Sequence, residues 1–264
     1  DRGTDNFATH ADRTAHGGEP FLAWWLGQVA GQDRKRGSRT LDYLDVHWYP
    51  QGQGVLSNAA DPATQALRIR STRDLWDPSY TDESWIGTQT DLIPRLRSWI
   101  DQDYPGTKLA ITEYGWGGEH DASGAVALAE VLGTFGRQGV DLATYWMYPP
   151  PQSPAGAAFR LYRNYDGRDG SFGDISVPVT VDQAGVRAYA ARHSGSHELD
   201  VMLTNESPDQ QATVHLSTGS GSATDGDAYQ VAGDGGQIQH RSLSGGTVVL
   251  PPYSVTLVRL GAAG

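Results

Sequence analysis

The sequence predicts a mixed fold class, with an α/β region over residues 1–168 followed by an all-β region over residues 169–264. In the first region, short segments in which apolar residues alternate are separated by longer segments in which they recur at helical spacing. After the turn-forming residues 166–170, short β-rich segments are separated by Gly, Ser, Asn and Asp. The first pattern is typical of parallel β/α units, in an open sheet or a (β/α)8 barrel, and the second of a β-sandwich.

The predicted elements follow in order along the chain. We expect helices at about residues 19–36, 86–103, 124–138 and 153–165, and strands at 41–50, 108–113 and 142–148, with a long polar loop between 51 and 85. Further strands are expected at 186–191, 198–204, 212–216, 247–250 and 254–260. Three β/α units cannot close a (β/α)8 barrel, which needs eight strands. We therefore expect the C-terminal part of a longer protein, or a chain completed by a separate polypeptide.

Composition excludes several classes of function. The chain has 31 acidic and 20 basic residues, and its formal charge of -11 repels nucleic acids and anionic membrane surfaces. It has no cysteine, which excludes disulfides, thiol catalysis and thiolate metal sites. Residues 1–6 do not form the apolar region of a signal peptide, so a secreted protein would need a leader outside this sequence. Eight Trp and twelve Tyr beside five Phe favour carbohydrate as a partner, although ordinary core packing explains the same set.

Strand alternation predicts a catalytic carboxylate. Glu113 ends an apolar strand and, by strict alternation, shares a face with Leu109 and Ile111. A charge in that position is costly unless it faces a cleft or has partners, as in enzyme sites. Because inward residues at the strand ends of a parallel barrel converge on one mouth, the same argument gives candidate substrate-binding residues. These are Asp45, His47 and Tyr49 from the first strand, Thr144, Trp146 and Tyr148 from the third, and Tyr114, Trp116 and the loop from Trp76 to Trp85 at the rim.

Each of these assignments has an alternative. Asp45 and His47 are also suitable metal ligands, although alternation turns the nearby Asp42 away from them. Glu113 could form a structural ion pair with an arginine, and Trp146 could fill the core at the barrel top. Glu19, in Gly-Glu-Pro, imitates an acid/base signature, but it precedes a predicted helix without an apolar strand before it, which favours a helix-start role.

Four motifs, in order along nearly the whole chain, resemble glycoside hydrolase family 44, the endoglucanases and xyloglucanases. They lie at residues 12–18, 45–51, 111–117 and 159–167. The resemblance implies that the three strands are strands six to eight of a TIM-like barrel beside a β-sandwich domain. It also implies that Glu113 is the nucleophile of a retaining endo-β-1,4-glucanase, and that the acid/base glutamate lies upstream of residue 1.

The resemblance implies further properties of the full-length protein. Its partners would be β-glucans such as cellulose, xyloglucan and carboxymethylcellulose, and it would be secreted and monomeric. No cofactor would be required, and the sequence leaves room for a structural calcium ion. The competing class is a non-catalytic carbohydrate-binding fragment, in which the sandwich and the aromatic rim hold a glycan without cleaving it. A metal-dependent hydrolase that uses Asp45 and His47 is a further alternative.

Overall fold

A computed structural model describes residues 11–261, apart from residues 197, 220, 223 and 224. The first ten residues of the predicted α/β region, and the side chain that begins the 12–18 motif, lie outside this description. The elements of the α/β region are the helices α1 (Ala11–Ala15), α2 (Phe21–Arg36), α3 (Pro62–Arg70), α4 (Leu92–Asp103), α5 (Ala122–Gln138) and α6 (Pro154–Arg163), and the strands β1 (Tyr43–Trp48), β2 (Lys108–Tyr114) and β3 (Leu142–Tyr145).

The three strands form one parallel sheet in the order β1-β2-β3. Their carboxyl ends therefore lie at the same edge, as the β/α pattern predicts. One face of the sheet is buried against the helices through Leu44, Leu109 and Ile111, whereas the other face is partly open. The open face belongs to the interior of the predicted barrel.

The prediction of a long polar loop between residues 51 and 85 is wrong, because this segment contains α3 and a 3-10 helix (Ser71–Leu75). Asp61 caps α3 by accepting a hydrogen bond from the Thr64 amide at 3.0 Å, and Pro62 occupies the first turn. The fully buried side chain of Arg68 anchors α3, with bonds to the Val55, Ser57 and Ala59 carbonyls and to the Ser123 hydroxyl. The polar contacts of Arg68 add to the burial of Ile69 in the core and together hold this helix.

The second region contains β4 (Ile175–Val177), β5 (Val186–Arg192), β6 (Leu199–Asn205), β7 (Ala212–His215), β8 (Ser217–Thr218), β9 (Gly221–Ser222), β10 (Asp225–Ala232), β11 (Gln239–Ser244), β12 (Thr247–Leu250) and β13 (Ser254–Leu260). A six-stranded antiparallel sheet has the order β11-β10-β13-β6-β5-β4, and a β12-β7 pair packs over it. This arrangement confirms the predicted combination of β/α units with a β-sandwich.

Helix α5 joins the two regions because it is buried between the two sheets. Its apolar residues share one core cluster with Tyr189, Met202 and Leu257 of the six-stranded sheet. Gly133 faces the Tyr189 ring, where an added Cβ would lie 2.3 Å from Cγ, so a side chain there would displace the ring. The boundary between residues 168 and 169 lies between α6 and β4 and stays a prediction.

No helix in the described ranges is long and apolar enough to cross a membrane.

Candidate active site

The carboxyl end of β1 presents polar side chains on the open face of the parallel sheet. Asp45 and His47 are exposed, whereas Leu44, which points to the opposite face of the strand, is buried. Tyr49 follows the strand and is half-buried beside Glu113. The predicted orientation of this strand therefore agrees with the structure.

A β-bulge at Thr112 changes the face that Glu113 occupies. Val46 pairs with Ile111 and His47 pairs with Glu113, so Thr112 is the extra residue in β2. The Asp45 carboxylate accepts hydrogen bonds from the Thr112 amide at 3.1 Å and from its hydroxyl at 2.5 Å. These bonds stabilise the bulge and hold Thr112 on the open face.

The prediction that Glu113 shares a face with Leu109 and Ile111 is wrong for this reason. Leu109 and Ile111 are buried against the helices, whereas Glu113 lies beside His47 on the open side. The extra residue reverses the alternation between Ile111 and Glu113. The bulge thus places the Glu113 carboxylate on the open face of the sheet, beside His47, whereas regular pairing would turn it toward the helices.

Glu113 has two partners on one oxygen. Its Oε2 accepts a hydrogen bond from the Tyr49 hydroxyl at 3.2 Å and lies 3.2 Å from His47 Nδ1. Burial, followed by the contact with Glu113, raises the pKa of Tyr49 to about 12, so this phenol remains a donor at neutral pH. In the described part of the chain no arginine forms an ion pair with Glu113, and the structural ion-pair alternative is not supported.

The third strand adds exposed aromatic residues beyond the Thr112 bulge. The Thr144 hydroxyl donates a hydrogen bond to the Thr112 carbonyl, and the Trp146 amide donates to the Tyr114 carbonyl at 2.8 Å. Trp146 is 54% exposed and Tyr148 is 83% exposed, so Trp146 does not fill a core in the described structure. Both rings line a cleft of about 440 Å³ next to Tyr49.

Tyr114 and Trp116 do not lie at the rim, and this prediction is wrong. Tyr114 is 2% exposed and makes edge contacts with Phe135 and Tyr145. Trp116 is 1% exposed, and its indole nitrogen donates to the Ser71 hydroxyl at 3.0 Å. Neither ring is accessible to a sugar. After the bulge, Tyr114 takes the helix-facing position opposite Trp48.

Two polar residues of the cleft region were not predicted as site residues. Glu119 lines the cleft and accepts a hydrogen bond from the Tyr145 hydroxyl at 3.0 Å. Gln51 accepts a bond of 3.3 Å from the indole of Trp85, which brings that exposed ring to the segment after β1. Gln51 is the last residue of the 45–51 motif, and its place in that motif could have identified it as a site residue.

Glu19 lies far from Glu113 in the fold. It immediately precedes Pro20 and α2, and its charge acts on Asp103 at the carboxyl end of α4. The chain passes from this end of α4 to the start of β2, which is opposite the strand end that carries Glu113. The helix-start interpretation of Glu19 therefore agrees with the structure.

The described residues contain no group of three or more His, Asp or Glu side chains that could hold a metal ion. The Asp45 carboxylate already accepts two hydrogen bonds from Thr112, and His47 Nδ1 already contacts the Glu113 carboxylate. The geometry around Glu113 instead suits a carboxylate nucleophile, because Tyr49 and His47 hold a partly exposed carboxylate at the end of β2.

Residues 3–52 match the family model for glycoside hydrolase family 44. Endoglucanase A of Paenibacillus lautus is 42% identical over 210 residues, which make up 75% of this chain and 30% of that protein. Among solved structures, a bifunctional glucanase-xylanase from a metagenome library is 39% identical with a TM-score of 0.90, over 99% of this chain and 51% of that one. A Paenibacillus polymyxa xyloglucanase of family 44, solved with xyloglucan, is 31% identical with a TM-score of 0.88, over 99% of this chain and 55% of that one.

The chain thus spans about half the length of the solved structures that it matches. The match covers both sheets, since nearly all of the chain superposes on each structure.

Proposed function

We propose, from the premise that this chain belongs to glycoside hydrolase family 44, that it carries the nucleophile side of a retaining endo-β-1,4-glucanase site. The observation that carries the proposal is the position of Glu113 at the carboxyl end of β2, beside two donors, one of which, Tyr49, also lines the aromatic cleft. Both donors contact Oε2, so Oε1 is the oxygen available for attack.

In the proposed reaction, Glu113 attacks the anomeric carbon while the glycosidic oxygen leaves with a proton from a general acid. The product is a glycosyl ester of Glu113. Water, deprotonated by the same acid/base group, then attacks the anomeric carbon and releases the sugar with its configuration retained. The Tyr49 hydroxyl and His47 orient the carboxylate before attack, and they stabilise it again as the ester breaks.

The general acid of this reaction would be a second carboxyl group about 5–5.5 Å from Glu113. We propose that this acid belongs to the part of the catalytic domain that the solved relatives contain and this chain does not. Loss of a general acid typically costs about 10²–10⁴ in rate. The 264-residue chain by itself should therefore hydrolyse unactivated β-glucans weakly or not at all.

The proposed substrates are β-1,4-glucans, including cellulose, carboxymethylcellulose and xyloglucan. Exposed Trp146 and Tyr148 offer flat faces that can stack on pyranose rings, and the Tyr148 hydroxyl adds a hydrogen-bonding edge. A polymer of this size is hydrolysed outside the cell, so we also propose a secreted protein. We propose that the complete protein is a monomer without a required cofactor.

Chemical rescue tests the role of Glu113. In the complete catalytic domain, Glu113→Ala should lose activity on carboxymethylcellulose, and azide should restore cleavage of an aryl β-cellobioside as the α-glycosyl azide. Glu113→Gln should be inactive but should still bind xyloglucan. An unchanged rate in either variant, or a β-configured azide product, would refute the nucleophile role.

The exposed rings also favour a second candidate, a carbohydrate-binding fragment without catalysis. Affinity electrophoresis on xyloglucan, run beside a reducing-sugar assay of the same sample, separates the two. Retardation without release of reducing ends from the complete catalytic domain would favour binding alone.

A further inference from the structure

Asp74 is a buried acid that the proposed reaction does not use. Asp74 lies in the 3-10 helix and is 0% exposed. Neither of its carboxylate oxygens has a hydrogen-bond partner within 3.5 Å among the described residues. An ionised carboxylate without donors is among the most unfavourable groups to bury. Such a group normally has a counter-charge, a proton or a bound cation.

The surroundings of Asp74 contain oxygen atoms. Asp82 is 4% exposed and Thr90 is 8% exposed, and both side chains lie against the Asp74 carboxylate. Oδ1 of Asp82 accepts hydrogen bonds from the amide and the hydroxyl of Ser84, so Oδ2 is the oxygen that it offers to a cation. The Thr90 hydroxyl likewise has no hydrogen-bond partner in the described residues. The neighbouring basic side chains are engaged elsewhere, since Arg70 pairs with Glu83 at 2.8 Å and Arg73 pairs with Asp77 at 2.8 Å.

Backbone pairing holds Asp82 and Thr90 beside each other. Residues 76–91 form a loop, which we call the 76–91 loop, between the 3-10 helix and α4. Within it Thr81 and Gln89 form an antiparallel bridge, and the Asp82 amide donates to the Thr88 carbonyl at 3.1 Å. The two arms of the loop therefore bring their side chains to the same face, against Asp74.

We propose that Asp74, Asp82 and Thr90 form a binding site for a divalent cation, with Ca²⁺ as the preferred ion. The donors are all hard oxygen atoms, and two carboxylates balance a charge of about +2. Ca²⁺ accepts irregular sets of about 6–8 oxygen ligands, including carbonyls and water, which suits a site made from a loop and a short helix. Mg²⁺ is the less suitable ion because it demands octahedral geometry.

The bound ion would fix the position of a residue at the active-site rim. Trp85 lies at the tip of the 76–91 loop and donates to Gln51, which follows β1. A cation that ties both arms of the loop to the 3-10 helix would hold this exposed ring in place. This role is structural and does not depend on Glu113 or on glucanase activity.

The test uses the longest soluble form of the protein, dialysed against EDTA. We expect Ca²⁺ to raise its melting temperature in a saturable manner, more than Mg²⁺ does, and Tb³⁺ to give sensitised luminescence from the nearby Trp76. Asp74→Asn keeps the size of the side chain but removes the charge. It should abolish both effects, while melting in EDTA at the same temperature as the wild type or above it.

Two controls make the outcome decisive. Asp101→Asn, at an exposed position of α4, should keep the full Ca²⁺ response. Asp82→Asn should weaken binding at least tenfold. An unchanged melting temperature of the wild type in millimolar Ca²⁺, or an undiminished Ca²⁺ response in Asp74→Asn, would overturn the site. If Ca²⁺ leaves the melting temperature of the wild type unchanged and Asp74→Asn melts at a higher temperature than the wild type in EDTA, then Asp74 and Asp82 share a proton instead of binding a cation.

Discussion

The Tyr49 hydroxyl donates a 3.2 Å hydrogen bond to Oε2 of Glu113, which lies 64 positions later in the chain. The bond joins the end of β1 to the end of β2. A phenol whose pKa is raised to about 12 stays protonated throughout the working range of most enzymes. Tyr49 is therefore a positioning residue for the proposed nucleophile.

Tyr49→Phe should remove this bond and keep the ring. A hydrogen bond to a charged group contributes about 1.5–3 kcal/mol. In the complete catalytic domain we expect kcat on carboxymethylcellulose to fall about 10- to 100-fold, with KM nearly unchanged. Steady-state kinetics check this, and an equal loss in KM with kcat intact would indicate a substrate contact instead of a positioning role.

Asp45→Ala should release the bulge at Thr112. Its two hydrogen bonds to Thr112 hold the extra residue, and without them β2 can return to regular pairing, which turns Glu113 toward the helices. We expect a loss of activity of at least 10-fold and of stability of about 1–2 kcal/mol. Asp42→Asn, at an exposed neighbouring position, is the matched control and should change neither. Equal behaviour of the two variants in kinetics and urea unfolding would contradict this account.

Trp116→Phe should reduce stability without reducing sugar binding. The indole is buried and donates to Ser71, whose own hydroxyl donates to the Arg68 carbonyl. Loss of that bond and of ring volume should cost about 1–3 kcal/mol in urea unfolding.

Trp146→Ala should behave in the opposite way, because Trp146 is exposed at the cleft. We expect weaker retardation on xyloglucan gels with a free energy of unfolding within about 0.5 kcal/mol of the wild type. If Trp116→Phe weakened binding and Trp146→Ala did not, the assignment of these rings would be reversed.

Glu130 predicts a pH dependence of stability. It is a buried residue of α5 that accepts hydrogen bonds from the hydroxyls of Thr72, in the 3-10 helix, at 3.0 Å and of Thr204, in β6, at 2.9 Å. Burial raises its pKa to about 8, above its value of about 4.3 in the unfolded chain. Between these pH values the folded protein keeps a proton that the unfolded chain has released. Stability should therefore fall as the pH rises through this window and level off above about pH 8.

Glu130→Gln should flatten that dependence by up to about 1.4 kcal/mol per pH unit. Asp74 contributes with the same sign when no metal is bound, so part of the slope should remain. Urea unfolding in EDTA at several values between pH 5 and pH 8 checks this. A slope identical to that of the wild type would show that Glu130 is ionised in the folded protein.

The three strands of the parallel sheet were predictable because apolar alternation marks them directly, whereas β4, β10 and β11 of the six-stranded sheet were not predicted. The orientation of Asp45 and His47 followed from the same pattern. The bulge at Thr112 was not predictable, since Ala-Ile-Thr-Glu-Tyr fits either register and the choice depends on a carboxylate from another strand. The error for Tyr114 follows from this one extra residue.

Other parts of the structure depend on contacts that local sequence does not encode. Helix α3 was missed because its anchor, Arg68, is a charged residue that sequence rules place in solvent. Its partners come from the preceding loop and from α5. The burial of Trp116 likewise depends on Ser71. A turn rich in aromatic residues and glycine indicates either a binding rim or a packed corner, and only the fold decides between them.

Covalent trapping tests the role of Glu113 most directly. A dinitrophenyl 2-deoxy-2-fluoro-β-cellobioside has a leaving group that departs without a general acid, so the 264-residue chain and the complete catalytic domain can both be labelled. We predict that the mass of the protein increases by one fluorocellobiosyl group and that peptide sequencing by mass spectrometry places the group on Glu113, with no label on Glu113→Gln. A label on another carboxylate, or no label on an active wild-type domain, would contradict the account.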